Sequence, residues 1–281
     1  MRARAVRSSP RGKRMFTNVN ICLVICNCAD WGRRGDRGGY PVAGGEHVFL
    51  YRDLPDEVEV PGDIPIIYRD EKILVVDKPH FLATVPRGSH VVQTAVVRLR
   101  RELYLPELSP AHRLNRLTAG VLLFTVRPEV RGAYQTLFAR GEVRKVYLAR
   151  AGVDSSLVFP LTLRSRIIKD RSRLPAFEVS GEPNTETFVE HLGDGLYRLT
   201  PRTGRTHQLR VHMASLGLPI HGDPLYPAVT DVTPDDFSTP LQLLARTLEF
   251  DDPLTGKCRR FLSRRSSGEG MSSAGKGWWS R

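Results

Sequence analysis

Cysteine is scarce, with four in 281 residues, and three of them crowd at Cys22, Cys26 and Cys28. Such usage builds no extracellular disulfide framework. No second pair of close ligands completes a zinc site around the trio. Long apolar runs are also missing, and nothing approaches the roughly 20 residues that a membrane-spanning helix needs. The nearest candidate, Ile21-Cys22-Leu23-Val24-Ile25-Cys26, is short, is interrupted by Asn27, and lacks a convincing signal-peptide cleavage site. No internal repeat is visible. Hydrophobic residues at 41% and charged residues at 26% exclude collagen-like, coiled-coil and wholly disordered chains. A cytoplasmic protein with a sizeable core is expected, as one large domain or two ordinary ones.

Charge is present in excess but unevenly. The net charge is +12, which invites a nucleic-acid partner. Residues 1–37 hold nine basic and two acidic residues, a net of +7, and residues 257–281 hold seven and one, a net of +6. The middle, residues 38–256, is therefore at −1, and any claim on RNA there must rest on local clusters. Residues 1–40 show neither helical nor strand period, and residues 265–281 read as a Gly/Ser tail. The basic ends read either as arms adding salt-sensitive attraction to RNA or as disordered or out-of-frame sequence; the second is preferred for residues 1–38.

Regular patterning begins near residue 41. Val48–Tyr51 and Ile66–Tyr68 read as short strands, and Ile73-Leu74-Val75-Val76 as a buried one ended by Lys78-Pro79. Val92, Val96, Leu99 and Leu103 recur at helical spacing, predicting a helix over 91–104 with Arg98, Arg100 and Arg101 beside its apolar stripe. Gly120–Val126 reads as a buried strand, and Pro128 and Gly141 bracket a helix. A strand follows over 143–150, and a hairpin over 185–192 and 195–201 turns at Gly193-Asp194-Gly195. A helix over 206–216 closes at Gly217. A late strand over 241–250 precedes a turn at Asp252–Gly256. The expected class is α+β, with a mainly antiparallel mixed sheet and flanking helices.

Three clusters carry chemistry. His112-Arg113-Leu114-Asn115-Arg116-Leu117-Thr118-Ala119-Gly120 is a polar loop feeding a buried strand, where a rigid frame would hold its side chains; otherwise it is a solvated basic loop. Lys145 and Tyr147 share one strand face, which suits a phosphate and a stacked base or ordinary packing. Arg202 and Arg205 precede the N-terminus of the 206–216 helix, a natural anion site. On that helix His207, Arg210 and Met213-Ala214 are expected near one face. His207 and His212 are five apart and do not align as a metal pair. Spacing alone leaves a phosphate- or RNA-binding site level with a solvated basic helix.

These segments together resemble one family. The 112–120 loop is similar to the HRLDxxTSG motif of RluA-type pseudouridine synthases, and Lys145-Val146-Tyr147-Leu148-Ala149 to their KxYxA strand. Gly204-Arg205-Thr206-His207-Gln208-Leu209-Arg210-Val211-His212 resembles their GRTHQLRVH helix, followed by a matching Gly222-Asp223-Pro224-Leu225-Tyr226. Val75-Val76-Asp77-Lys78-Pro79 and Asp252-Pro253-Leu254-Thr255-Gly256 also fit. Together, and in order, these motifs span about residues 62–263. That segment is the expected catalytic domain, preceded by a disordered basic segment at 1–40 and a lead-in at 41–61 that holds at most a remnant of an S4-like domain. Residues 264–281 are the expected disordered tail.

The resemblance implies the pseudouridine synthase fold and an isomerase acting on uridine in ribosomal or transfer RNA, with no metal, no organic cofactor and no membrane, as a monomer. By position, Arg113 resembles the arginine that enters the RNA where the base departed. Tyr147 resembles the tyrosine that stacks on uracil, and Arg210 the arginine that pairs with the catalytic aspartate. Arg116, Lys145, Arg202, Arg205 and His207 are the further expected RNA contacts. The departure is Asn115, which stands where the family has its essential aspartate. A carboxylate acts as nucleophile or base, and an amide of the same shape does neither usefully. Asn115 is expected to accept a hydrogen bond from Arg210, and Asn115→Asp to stabilise the fold by restoring that partner. A second departure is Lys78-Pro79-His80-Phe81, where the family usually has glycine after the Lys-Pro pair and one more residue. The alternative function is a catalytically silent RNA-binding protein on the same fold. A phosphate-transfer enzyme using Asp223 lacks a metal-binding partner set.

Overall fold

In the computed structural model, residues 57–265 are described, apart from Ser89, Arg171, Val232 and Pro234. The chain divides into two units, Met1–Glu57 and Val58–Arg281, and all but one of the described residues belong to the second. The strand expected at Val48–Tyr51 lies outside the described residues.

Strand β1 (Ile66–Arg69) pairs antiparallel with β2 (Ile73–Lys78), in which every residue is buried. Burial on both faces explains why the run Ile73–Val76 shows no polar alternation. Leu74 and Val76 pack on one side with Ala95, Val96 and Leu99 of helix α1 (Ala95–Glu102). Ile73 and Val75 pack on the other with Tyr134 and Leu137 of helix α2 (Arg131–Arg140). Helix α1 is shorter than the 91–104 that its periodicity predicts. Thr94 is extended and bridges to Ala83, and Ala95 N–H donates to Ala83 O, so a tertiary pairing holds Thr94 out of the helix. Helix α2 meets the expected brackets: Pro128–Val130 is a 3-10 turn, and Gly141 at φ 72° closes the end with Glu142 N–H on Leu137 O.

Two-residue β3 (Ser109–Pro110) edges β4 (Ala119–Thr125), which pairs antiparallel with β2. Strands β5 (Arg144–Arg150), β6 (Leu161–Ile168), β7 (Phe177–Val179), β8 (Thr185–Gly193) and β9 (Leu196–Pro201) precede helix α3 (Gln208–Ser215). Strands β10 (Leu243–Asp251) and β11 (Cys258–Leu262) complete the set. The main path runs β1-β2-β4-β10-β5-β9-β8-β6-β7 in one sheet, with β11 on β10. All pairings are antiparallel except β4 with β10, so the mainly antiparallel mixed sheet is as expected. Strands β3, β6, β7 and β11 were not expected. The outward alternation of β6, with Thr162, Arg164 and Arg166 exposed, reads as a polar loop without knowledge of its partner β8.

The parallel step is only two residues long, Leu244 with Ala119 and Ala245 with Gly120. A Cβ on Gly120 would lie 2.3 Å from Ala245 O, and its φ is +113°. Only glycine lets the two backbones meet there. Gly120 also ends the 112–119 loop, so the same contact that joins the two halves of the sheet fixes where that loop begins its turn.

Candidate nucleic-acid interface and active site

A cleft of about 540 Å³ opens over the β4–β10–β5 junction. Arg113, Asn115 and Arg116 enter it from the loop before β4, Lys145 and Tyr147 from β5, and Arg205, His207 and Arg210 from the start of α3. Three segments far apart in sequence thus meet because β4, β10 and β5 are neighbours. Arg202 is the one expected site residue outside this lining; its guanidinium is exposed and pairs with Glu186 at 3.5 Å. Arg87 joins the lining without having been expected. Among the described residues no Asp or Glu lines the cleft, so the cations that line it present a surface for a polyanion.

The loop at 112–118 is held from outside. Thr84 Oγ1 donates to Leu114 O at 2.9 Å and accepts Leu114 N–H at 3.2 Å. Lys78, wholly buried at the end of β2, donates to Pro79 O, Leu82 O and Arg116 O at 2.8, 2.7 and 3.3 Å. Burial, followed by the nearby Arg265 and Arg116, holds its ammonium well below the ordinary lysine range. His80 Nδ1 donates to Leu117 O at 2.8 Å. Burial brings His80 down to about 4, so the ring is neutral at pH 7. Phe81, at φ 63°, stands where the family pattern has glycine, and its neighbour His80 ties down the loop. His112 stacks on Phe138 at 4.3 Å and accepts Leu123 N–H at Nε2. Burial, then Lys145, lowers it to about 3, so it stays a neutral prop.

The start of α3 is held from within. Gln208 is buried and uses its whole amide: Oε1 accepts from Thr203 Oγ1 and Arg205 N–H, and Nε2 donates to Glu186 O and Thr187 Oγ1. The helix begins at Gln208, not at Thr206, because His207 adopts φ 59°, ψ 12°. His207 therefore does not share a helical face with Arg210 and Met213 as its spacing predicts. Tyr226 Oη donates to Ala176 O and accepts Ala176 N–H, both at 2.8 Å. That leaves His207 Nδ1–H to donate to the phenol oxygen at 3.0 Å. Burial, then Arg210, lowers His207 to about 4, so it offers the cleft a neutral ring.

Arg210 corrects an expectation. Its guanidinium forks onto Asp223, Nε to Oδ2 at 2.7 Å and Nη2 to Oδ1, with side-chain exposures of 2% and 0%. Asp223 Oδ1 also accepts the N–H groups of Leu225 and Tyr226. No hydrogen bond joins Arg210 to Asn115 among the described residues. The basis for stabilisation by Asn115→Asp, an arginine in want of a partner, is therefore absent. Asp77 is no substitute acid either, since it accepts from Ser263 Oγ and Arg264 N–H. Tyr147 is pushed up to about 12 by burial, so it meets a ligand as a neutral phenol. Lys145 is lowered by burial and donates to Thr203 O at 3.4 Å.

Cations at the rim, a half-buried tyrosine beneath them and a loop rigidly joined to a strand suit an extruded base with its phosphates. The family model described as RNA pseudouridylate synthase matches residues 72–215, which contain all three segments. The chain belongs to the RNA pseudouridylate synthase family. It is 34% identical over 212 residues to the dual-specificity RNA pseudouridine synthase RluA of Vibrio cholerae, covering 70% of this chain and 82% of the relative. It is 34% identical over 189 residues to the human pseudouridylate synthase RPUSD2, covering 64% of this chain and only 33% of that longer protein. Among solved structures it resembles human RNA pseudouridylate synthase domain containing 1, with TM-score 0.57 and 25% identity over 73% of this chain and 86% of the other. These relatives make the family RluA-type, and its members are RNA uridine isomerases.

The supports Thr84, Lys78, His80 and Gln208 were not assigned roles from the sequence. Lys78 had a signal, a cation ending a wholly buried run. Thr84 had none.

Proposed function

We propose that the cleft binds a uridine extruded from ribosomal or transfer RNA, and that Asn115 leaves its isomerisation very slow or absent. The protein would work as a cytoplasmic monomer without metal or organic cofactor, with residues 62–263 as the catalytic domain. Uridine to pseudouridine conversion breaks N1–C1′, turns the base, joins C5 to C1′, moves the C5 proton off and returns a proton to N1. In this reading Arg113 fills the place the base has left. Tyr147 stacks against uracil, and Arg116, Lys145 and Arg205 meet phosphates. Arg210, locked on Asp223, shapes the floor beneath the reacting sugar.

The carrying observation is that an amide stands at position 115 and no carboxylate among the described residues lines the cleft. The neutral His112, His207 and Tyr147 leave no anionic group to act as nucleophile, and none of them is poised near pH 7 as a base. A catalytically silent RNA binder on this scaffold is the limiting form of the same reading. The test is pseudouridine formation on bulk ribosomal and transfer RNA by the unchanged protein and by Asn115→Asp. Conversion only by the variant is expected. Comparable conversion by the unchanged protein would overturn the assignment of position 115.

A further inference from the structure

A second groove, of about 480 Å³, opens beside the cleft and shares Val85, His112 and Arg113 with it. It lies between α1 and α2, which contribute Arg100 and Gln135, and it is floored by Val85, Pro86 and Pro110. Its size is within the range of pockets that enclose a small ligand. No Asp or Glu lines it among the described residues. The two acids nearest in sequence, Glu102 and Glu107, are paired with Arg98 at 3.6 Å and Arg131 at 3.0 Å. Among the described residues Arg100 makes one hydrogen bond, Nε donating to Leu108 O at 2.9 Å, and its two terminal nitrogens make none. Gln135 is exposed, and its one side-chain hydrogen bond among the described residues, Nε2 to Pro110 O, is at the 3.5 Å limit.

We infer that the uridine cleft forks at Arg113 and that its side arm is a subsite for the ribonucleotide adjoining the target uridine, with Gln135 reading its base and Arg100 its phosphate. This rests on the RNA-binding reading above. The geometry follows from continuity: a chain whose uridine turns into the cleft must pass its neighbour across Arg113, and the groove starts there. The apolar floor suits an unstacked base face, and a free carboxamide matches the paired donor and acceptor on a base edge. A groove without carboxylates and with a cation at one end accepts a nucleotide and disfavours an acidic peptide only weakly. Continuity with the cleft is what selects the RNA strand as occupant.

The experiment is a binding series with the full chain and an oligoribonucleotide holding one uridine among adenosines, beside two versions with an abasic ribose immediately 5′ or 3′ of it. One of the two abasic RNAs should bind about five- to tenfold more weakly to the unchanged protein. Gln135→Ala should remove most of that difference, and because the side chain is exposed its melting temperature reports that folding is unaffected. Arg100→Gln should lower the slope of affinity against salt by about one counterion. Equal binding of all three RNAs, or a neighbour effect that persists in Gln135→Ala, would overturn the side-arm subsite while leaving the cleft reading intact. Failure of the unchanged protein to bind any of them would sink the cleft reading and the subsite together.

Discussion

Two loops meet across the cleft and are braced in opposite ways. The 203–207 loop is held by its own neighbour, because Gln208 bonds Thr203 and Arg205 and anchors itself on β8. The 112–118 loop contributes almost nothing to its own support; Thr84, Lys78 and His80, some 30 to 38 residues earlier, hold Leu114, Arg116 and Leu117. The difference teaches where substitutions matter. Damage inside its own motif disables the first loop, whereas the second is vulnerable at residues outside the 112–120 motif.

The largest effect should come from the pair beneath both loops. Asp223→Ala leaves Arg210 charged and buried without its partner, and should cost about 3–5 kcal/mol of unfolding free energy by denaturant titration. A loss below about 1 kcal/mol would show that Arg210 finds another acceptor, with Asn115 the nearest test of that by the double variant. Next, Gln208→Ala strips four hydrogen bonds and leaves buried donors and acceptors bare, about 2–4 kcal/mol. It should also weaken RNA binding by loosening Arg205. If stability falls while RNA affinity holds, the inward bracing does not position Arg205.

Thr84→Val should be smaller, about 1–2 kcal/mol, since it removes one hydroxyl but leaves Leu114 N–H and C=O buried. Its diagnostic is placement: in Asn115→Asp protein it should reduce the rate of pseudouridine formation more than it reduces RNA affinity. The last effect appears only on acidification, as the pH term from His80. Its folded value, about 4, lies below the ordinary 6.5, so below pH 6.5 the unfolded chain binds a proton that the folded chain refuses. The associated stability is complete above pH 6.5 and is lost as pH falls toward 4, at no more than about 1.4 kcal/mol per pH unit. His80→Asn should flatten the dependence of unfolding free energy on pH in that window, and an unchanged slope would mean His80 is not the group responsible.

Much of the framework was legible because it depends on local pattern. The buried run at Ile73–Val76, the proline and glycine around α2, and the Gly217 stop of α3 each express backbone rules that act over a few residues. Strand β6 was missed because its outward side chains are polar and inward Ile167 packs with Val211 of α3, far along the chain; β7 has only three residues, too few to show a period. The residues singled out from the sequence line one cleft, except Arg202, and Arg87 joins them unexpected, because charge marks a candidate but not the direction in which it points.

The sequence by itself determined the family, the α+β class, the three segments that bear the cleft and the amide at position 115. Those depend on residue identity and order, which folding does not alter. Only the tertiary structure decided that Arg210 belongs to Asp223, that His207 stands outside its helix, and that Thr84, Lys78 and His80 hold the 112–118 loop. Each of these turns on which buried polar groups come within hydrogen-bond reach. Burial makes such pairing obligatory, but the partner is chosen by the sheet order, not by distance along the chain.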